Sequence, residues 1–127
     1  WDLLPMPRYR AHNWHCLGGH DRQPYAAVYT TLGCPYHCSF CCIQAPFKNG
    51  QVAELGEKQA PNSYRFWSVD HVLAQIDTLV TKHSVRNIKI ADEMFVLNKR
   101  HVVGICDGLI ARGYDLNIWA YTRVDTI

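Results

Sequence analysis

The sequence predicts an α/β fold built on a parallel sheet. Three segments rich in β-branched and aromatic residues, at 25–31, 87–91 and 116–121, alternate with two segments of helical periodicity at 68–83 and 98–112. Alternation of this kind favours parallel strands joined by right-handed crossover helices. The chain has 127 residues, 48% of them apolar and 19% charged, which is typical of one globular domain.

The segment before the first strand, residues 1–24, contains several prolines and glycines and little periodicity. We expect it to be a linker or a covering segment, with Trp14 and Leu17 packed against the domain. Four potential metal ligands lie in it: His12, His15, Cys16 and His20. Their spacing fits no standard zinc finger, so we favour a packed polar loop over a metal site.

The clearest helix is predicted at 68–83. Ser68 is a suitable N-cap, and Asp70 places a carboxylate in the first turn, where the helix dipole favours it. Trp67 precedes the cap and is placed to pack on Val72 as a hydrophobic staple. An apolar stripe at helical spacing predicts the face toward the core: Val69, Val72, Leu73, Ile76, Leu79 and Val80.

A second helix is predicted from the N-cap Asn98 to about Arg112, with Gly113 at the C′ position. Its core face is predicted from the same kind of stripe: Val102, Val103, Ile105, Cys106, Leu109 and Ile110. Cys106 is therefore expected to be an inert, buried residue. The long connection at 44–65 is rich in turn residues, and a short helix is predicted within it at 52–58.

Residues that could take part in catalysis or ligand binding follow each predicted strand. A cysteine-rich loop follows the first strand, Asp92 and Glu93 follow the second, and Arg123 follows the third. The carboxyl ends of parallel strands meet at one edge, where α/β barrels place their active sites. An ordinary barrel needs about 250 residues, so this chain would be about half of one.

Three cysteines in the loop, Cys34, Cys38 and Cys41, have C-x3-C-x2-C spacing. Three thiolates can hold a [4Fe-4S] cluster and leave one iron open to a substrate or cofactor. The alternatives are a zinc site that adds His37 or Cys42, and a redox dithiol at the C-x-x-C pair. Cysteine clustering without a secretory context favours a metal site in a reducing cytoplasm over disulfides.

The composition excludes several other classes. A net charge of +2, without any block of like charge, predicts no clear nucleic-acid patch. No apolar run approaches the ~20 residues of a membrane-spanning helix. The chain begins at Trp1 and stops just past an apolar strand, so we expect it to be a fragment of a longer protein.

The run Cys34-Pro35-Tyr36-His37-Cys38-Ser39-Phe40-Cys41, placed after a strand, resembles the signature of the radical S-adenosylmethionine (SAM) superfamily. The resemblance implies that residues 25–127 are the N-terminal part of a partial, TIM-like (β/α)6 barrel, with helices on its outer face. It also implies that the three cysteines ligate three irons, while SAM chelates the fourth through its amino and carboxylate groups.

The same resemblance assigns roles to four further side chains. Phe40 would lie near the adenine of SAM. Asp92 or Glu93, with Glu93 favoured, would receive the SAM ammonium, which needs an anionic acceptor. Arg123 would pair with the SAM carboxylate or with a substrate anion. Cys42 lies outside the signature.

Three further segments, at 2–9, at 29–34 and at 91–95 with Asn98, resemble the cobalamin-dependent branch, whose members are often methyltransferases. Cobalamin would then come from an upstream domain outside this chain. The methylthiotransferases are the related alternative, and a non-catalytic zinc-binding module is the alternative from another class.

The implied chemistry is reductive cleavage of SAM to methionine and a 5′-deoxyadenosyl radical, which abstracts hydrogen from a substrate. The partners would be an electron donor of flavodoxin or ferredoxin type and an unidentified small molecule. The fragment alone is expected to lack full activity, and its open sheet edge predicts association with a second copy.

Overall fold

The computed structural model describes residues 1–16, 18–19, 21–36, 38–41 and 64–126. The helices and strands within them are, in chain order, β1 (Tyr25–Val28), β2 (Thr31–Leu32), β3 (Arg65–Phe66), α1 (Val69–His83), β4 (Asn87–Ile90), α2 (Lys99–Arg112) and β5 (Asn117–Ala120). Short 3-10 turns lie at Met6–Arg8, Asn13–Cys16, Phe95–Leu97 and Val124–Thr126. The helix predicted at 52–58 lies outside the described residues.

A three-stranded parallel sheet forms the centre of the domain, with the strand order β1-β4-β5. The register aligns Tyr25 with Asn87 and Asn117 at one end, and Val28 with Ile90 and Ala120 at the other. α2 joins β4 to β5, as expected of a crossover between parallel strands. The predicted α/β architecture with a parallel sheet is therefore confirmed.

The hydrophobic core lies between the sheet and the two helices. It is built from buried side chains of both layers: Ala26, Val28, Ile88 and Ile90 from the sheet, and Val72, Ile76, Leu79 and Ile105 from the helices. The predicted stripe of α1 is confirmed, with Val69 and Val80 partly buried at its margins. In the part of the chain that is described, no helix has the length and apolar character needed to cross a membrane.

The predicted helix ends are also confirmed. The Ser68 hydroxyl accepts the His71 amide at 3.2 Å, and the Asn98 side chain accepts the His101 amide at 3.0 Å. Gly113 ends α2 with a φ of 64°, a conformation that glycine adopts without the strain imposed by a Cβ. These local signals fix where each helix begins and ends.

The predicted core face of α2 is wrong in part. Ile105 is fully buried, but Val103 and Ile110 are 44% and 76% exposed, and Cys106 is exposed rather than an inert core residue. The reason is a close approach to α1 on the glycine side of α2: a Cβ on Gly104 would lie 3.1 Å from the Val69 side chain. This contact turns the predicted stripe partly toward solvent.

The predicted first strand, 25–31, is too long. β1 stops at Val28, and Thr31–Leu32 pair instead with Arg65–Phe66 in a separate antiparallel sheet. The reason is a long-range hydrogen bond, because the Thr30 amide donates to the Asp92 carboxylate at 2.6 Å instead of to a neighbouring strand. The chain therefore leaves the parallel sheet three residues before the predicted end of the strand.

The prediction that Trp14 packs down is wrong, since its side chain is 61% exposed. The neighbouring His15 is buried instead, with its ring 5.3 Å from the Trp14 ring and 3.9 Å from the Trp119 ring. Met6 also joins the core, so part of this segment packs against the domain. Leu17 and His20 lie outside the described residues.

Candidate functional site

The segments that carry the predicted site residues meet at the carboxyl edge of the parallel sheet. The Ala91 amide donates to the Val28 carbonyl at 2.8 Å, which joins the ends of β1 and β4. The Phe95 amide donates to the Tyr121 carbonyl at 3.1 Å, which joins the segment after β4 to the end of β5. These backbone bonds hold the three strand ends, and the segments that follow them, at a common edge.

The cysteine loop begins at Gly33, whose φ of 88° lies in the region that favours glycine. Cys34 is buried, Cys38 is half-buried and Cys41 is exposed, and all three thiols are free. The Cys41 amide donates to the Cys38 carbonyl at 3.1 Å, so a tight turn separates these two cysteines. The loop thus presents thiols at three depths between the interior and the surface.

The metal chemistry of this loop can be tested against the structure. Among the side chains that are described, no three of His, Cys, Asp and Glu gather as ligands of a single ion. The fourth ligands that the zinc interpretation needs, His37 and Cys42, lie outside the described residues. An iron–sulfur cluster binds each thiolate through a different iron, so its ligands need not meet at one point. Three free thiols within eight residues fit that donor set.

The two acids after β4 have different surroundings. Asp92 is fully buried, and Thr30 occupies both of its carboxylate oxygens: the amide donates to Oδ1 at 2.6 Å and the hydroxyl to Oδ2 at 2.5 Å. Glu93 is half-buried, and its enclosed Oε2 has no hydrogen-bond partner among the described residues. Of the two, Glu93 is the acid with an acceptor still available.

A buried histidine extends the Asp92 contact. His101 Nε2 lies 3.0 Å from the Thr30 hydroxyl, and its ring packs edge-on against Phe66 at 5.2 Å. Burial lowers the pKa of His101, against the opposing effects of Asp92 and Thr30. Sequence reasoning missed both Thr30 and His101, because nothing in their local sequence shows that they meet Asp92.

Tyr64 connects the cysteine loop to the acids. Its hydroxyl donates to the Met94 carbonyl at 3.1 Å. Burial raises the pKa of Tyr64, Thr31 opposes this shift, and the neighbouring Asp92, Cys34 and Glu93 add smaller increases. Cys34 therefore shares one neighbourhood with the two acids, as the strand order predicted, although Tyr64 itself was not anticipated.

Arg123 contacts the cysteine loop from the end of β5. Its guanidinium lies 4.4 Å from the centre of the Tyr36 ring, and it forms two hydrogen bonds to Asp125 at 2.9 and 2.7 Å. Asp125 raises the pKa of Arg123, with smaller contributions from Tyr36 and Cys38. An incoming anion would therefore compete with Asp125. Phe40 lies on the loop with 92% of its side chain exposed.

Together, the fold and the site define a parallel α/β domain whose sheet carries a cysteine loop, two acids and an arginine at its carboxyl edge. The chain matches no protein-family model. It is similar to an uncharacterized methyltransferase of Pyrococcus horikoshii, with 29% identity over 126 residues, which cover 99% of this chain and 23% of that protein.

The chain is also similar to the anaerobic magnesium-protoporphyrin IX monomethyl ester cyclase of Cereibacter sphaeroides. The identity is 30% over 81 residues, which cover 64% of this chain and 11% of that protein. This chain therefore spans less than a quarter of the length of each relative. Both relatives bear the names of enzymes, in agreement with the prediction of an enzyme.

Proposed function

We propose that this chain is part of a radical SAM enzyme, in which Cys34, Cys38 and Cys41 hold a [4Fe-4S] cluster. The observation that carries the proposal is that the cysteine loop shares the carboxyl edge of the parallel sheet with Glu93 and Arg123. Parallel α/β proteins bind their ligands at this edge. When bound, the cluster would supply the electron for cleavage of SAM to methionine and a 5′-deoxyadenosyl radical.

The side chains of the site have distinct parts in holding SAM. Glu93 accepts the ammonium group, because its Oε2 has no hydrogen-bond partner in the described part of the chain, while Thr30 already donates to both Asp92 oxygens. Arg123 binds the carboxylate, exchanging one of its bonds to Asp125 for a bond to the ligand. Phe40 offers an exposed aromatic face to the adenine.

The overall reaction that the proposal favours is methyl transfer with cobalamin held by another domain. The name of the Pyrococcus relative supports methyl transfer over the methylthiotransferase alternative. In this proposal residues 25–127 are the first half of a (β/α)6 barrel, and residues 1–24 are the segment that covers it. A flavodoxin or ferredoxin would deliver the electron.

Anaerobic reconstitution with iron and sulfide tests the cluster. We expect about four irons per chain with the broad visible absorbance of a [4Fe-4S] cluster. Alanine at any one of the three loop cysteines should abolish stable cluster assembly, because each substitution removes the thiolate that would bind one of the irons. Cys106→Ala is the matched control, since Cys106 is exposed on α2. A protein that binds one zinc and no iron would be a zinc module instead.

The SAM site is tested on the same reconstituted protein. Glu93→Gln should keep its iron and weaken SAM binding, measured by equilibrium dialysis, because the amide removes the negative charge. Asp125→Asn is the comparison variant. It leaves Asp92 and Glu93 unchanged and weakens the ion pair that holds Arg123. SAM cleavage that persists in Cys38→Ala would contradict the proposal.

A further inference from the structure

Three buried side chains from separate elements form one hydrogen-bonded unit at the edge of the sheet. Thr30 follows β1, Asp92 follows β4, and His101 lies in the first turn of α2. Their exposed fractions are 0%, 0% and 7%. Thr30 bonds to Asp92 through both its amide and its hydroxyl, and to His101 through the hydroxyl alone.

The direction of these bonds follows from the number of protons available. An ionised carboxylate only accepts hydrogen bonds, and a hydroxyl has a single proton to donate. The Thr30 hydroxyl donates that proton to Asp92 Oδ2, so toward His101 it can only accept. His101 therefore donates from Nε2, and the burial that lowers its pKa keeps the ring neutral. The neutral ring is then the Nε2–H tautomer.

Along the chain, the unit adjoins both halves of the proposed SAM site. Thr30 is four residues before Cys34, and Asp92 immediately precedes Glu93. The fixed distance between Thr30 and Asp92 therefore sets the separation of the cysteine loop from the acid that receives the ammonium. The contact with His101 holds the Thr30 hydroxyl in the rotamer that its hydrogen bond to Asp92 requires.

We propose that His101, Thr30 and Asp92 form a positioning unit that fixes the cysteine loop against Glu93, an inference that rests on the proposed function. None of the three contacts SAM. Hydrogen bonds to charged groups are stronger than neutral ones, and a satisfied polar network makes the local structure more rigid. Without the unit, the three cysteines would still hold the cluster, but the cysteine loop would shift relative to Glu93.

The proton arrangement is tested by nitrogen NMR of the imidazole rings in the cluster-free protein, where no paramagnetic centre broadens the signals. His101 should show the Nε2–H tautomer at neutral pH, with the signal assigned by its loss in His101→Phe. Asp92→Asn replaces the acceptor Oδ2 with an amide NH2 group, which donates to the Thr30 hydroxyl. The hydroxyl proton is then free to point toward His101 Nε2. The ring should then change to the Nδ1–H tautomer.

The positioning role is tested by SAM binding to reconstituted protein. Thr30→Val removes the hydroxyl at nearly constant shape, and we expect it to weaken SAM binding about ten-fold at unchanged iron content. Thr30→Ser restores the hydroxyl and should restore the affinity. His101→Phe should act like Thr30→Val. His71→Phe is its matched control, because His71 occupies the same capped third position of α1 and is exposed.

The outcomes separate this inference from the proposed function. Wild-type SAM affinity in Thr30→Val and His101→Phe would overturn the positioning role and leave the radical SAM proposal intact. An Nδ1–H tautomer in the wild-type protein would overturn the bond direction. If the wild-type protein assembles no cluster, the proposed function fails and the positioning role fails with it. If Thr30→Val does not fold, His101→Phe, which retains the bonds between Thr30 and Asp92, carries the test.

Discussion

Burial determines the protonation of two histidines in this chain, His15 and His101, whose side chains are 8% and 7% exposed. Burial is the main reason that the pKa of each lies below the ordinary value. The neighbouring His12 and Lys89 lower the pKa of His15 further, whereas Asp92 partly opposes the shift of His101. Both rings therefore take up a proton only at lower pH than an ordinary histidine does.

Acidification should destabilise the fold through these two rings. In the unfolded chain these histidines take up protons near the ordinary histidine pKa of 6.5, while in the folded chain they take them up only at lower pH. The free energy of unfolding should thus fall as the pH drops below about 6.5, and urea denaturation from about pH 7.5 to about pH 5.5 measures it.

Two variants identify the histidines responsible for this dependence. His15→Gln and His101→Gln should each reduce the slope of stability with pH, because each removes one group that the unfolded chain protonates first. His71→Gln, at an exposed position, should leave the slope unchanged. A slope equal to that of the wild type in both buried-site variants would show that other groups cause it.

The acids after β4 show what the sequence of a site can and cannot predict at the residue scale. The position of Asp92 and Glu93 at the end of a strand was predictable, because strand ends follow from local patterning. Their different surroundings were not, since the partner of Asp92 is 62 residues away along the chain. Only the folded arrangement shows that Thr30 occupies one acid and leaves the other available.

At the scale of elements, the contact of α1 with α2 depends on two glycines. A Cβ on Gly104 would lie 3.1 Å from Val69 Cγ2, a distance that a small shift relieves. A Cβ on Gly108 would lie 3.0 Å from Leu73 Cδ2 and closer still to Cδ1. Leu73 is itself buried, so it has little room to move away.

Alanine at these glycines should therefore have opposite effects on stability. Alanine stabilises a helix by about 1 kcal/mol relative to glycine, and Gly104→Ala should retain much of that gain. Gly108→Ala should lose it to overpacking and destabilise the fold by about 1–2 kcal/mol. Urea unfolding of the two variants measures the difference. Equal stability would mean that Leu73 moves aside freely.

The elements also show how far local patterns determine this fold. The caps at Ser68, Asn98 and Gly113 were predictable because each acts within a few residues of its own chain. The face of α2 was mispredicted because its orientation depends on a glycine contact with another helix. The end of β1 was mispredicted because a distant carboxylate takes the Thr30 amide.

At the scale of the whole molecule, the side of the domain next to β5 is open in the described part of the chain. In the described sheet, β5 is an outer strand that pairs only with β4. A shallow groove beside it is lined mainly by apolar side chains: Leu109, Ile110, Tyr114, Leu116 and Ile118. Ile110 and Ile118 are 76% and 39% exposed. An unpaired strand edge next to apolar surface is suited to pairing with another chain.

We expect two copies of this chain to associate through that side, because pairing would cover both the groove and the open edge. Sedimentation velocity over a range of concentrations measures the association. Ile110→Lys should weaken it about ten-fold or more, since it places a charge in the contact. Leu3→Lys, at a 98% exposed residue near the N-terminus, should leave it unchanged. A protein that stays monomeric at all concentrations contradicts the expectation.

The sheet order has a consequence for the course of folding. Asn87 of β4 and Asn117 of β5 are 30 residues apart, whereas Thr30 and Asp92, which join the ends of β1 and β4, are 62 apart. Contacts between distant residues form more slowly, because more chain entropy is lost before they give any gain. This order favours early formation of the β4–α2–β5 unit and later docking of β1. The thiols that follow β1 would then stay accessible to iron and sulfide while the acids opposite them are already in place.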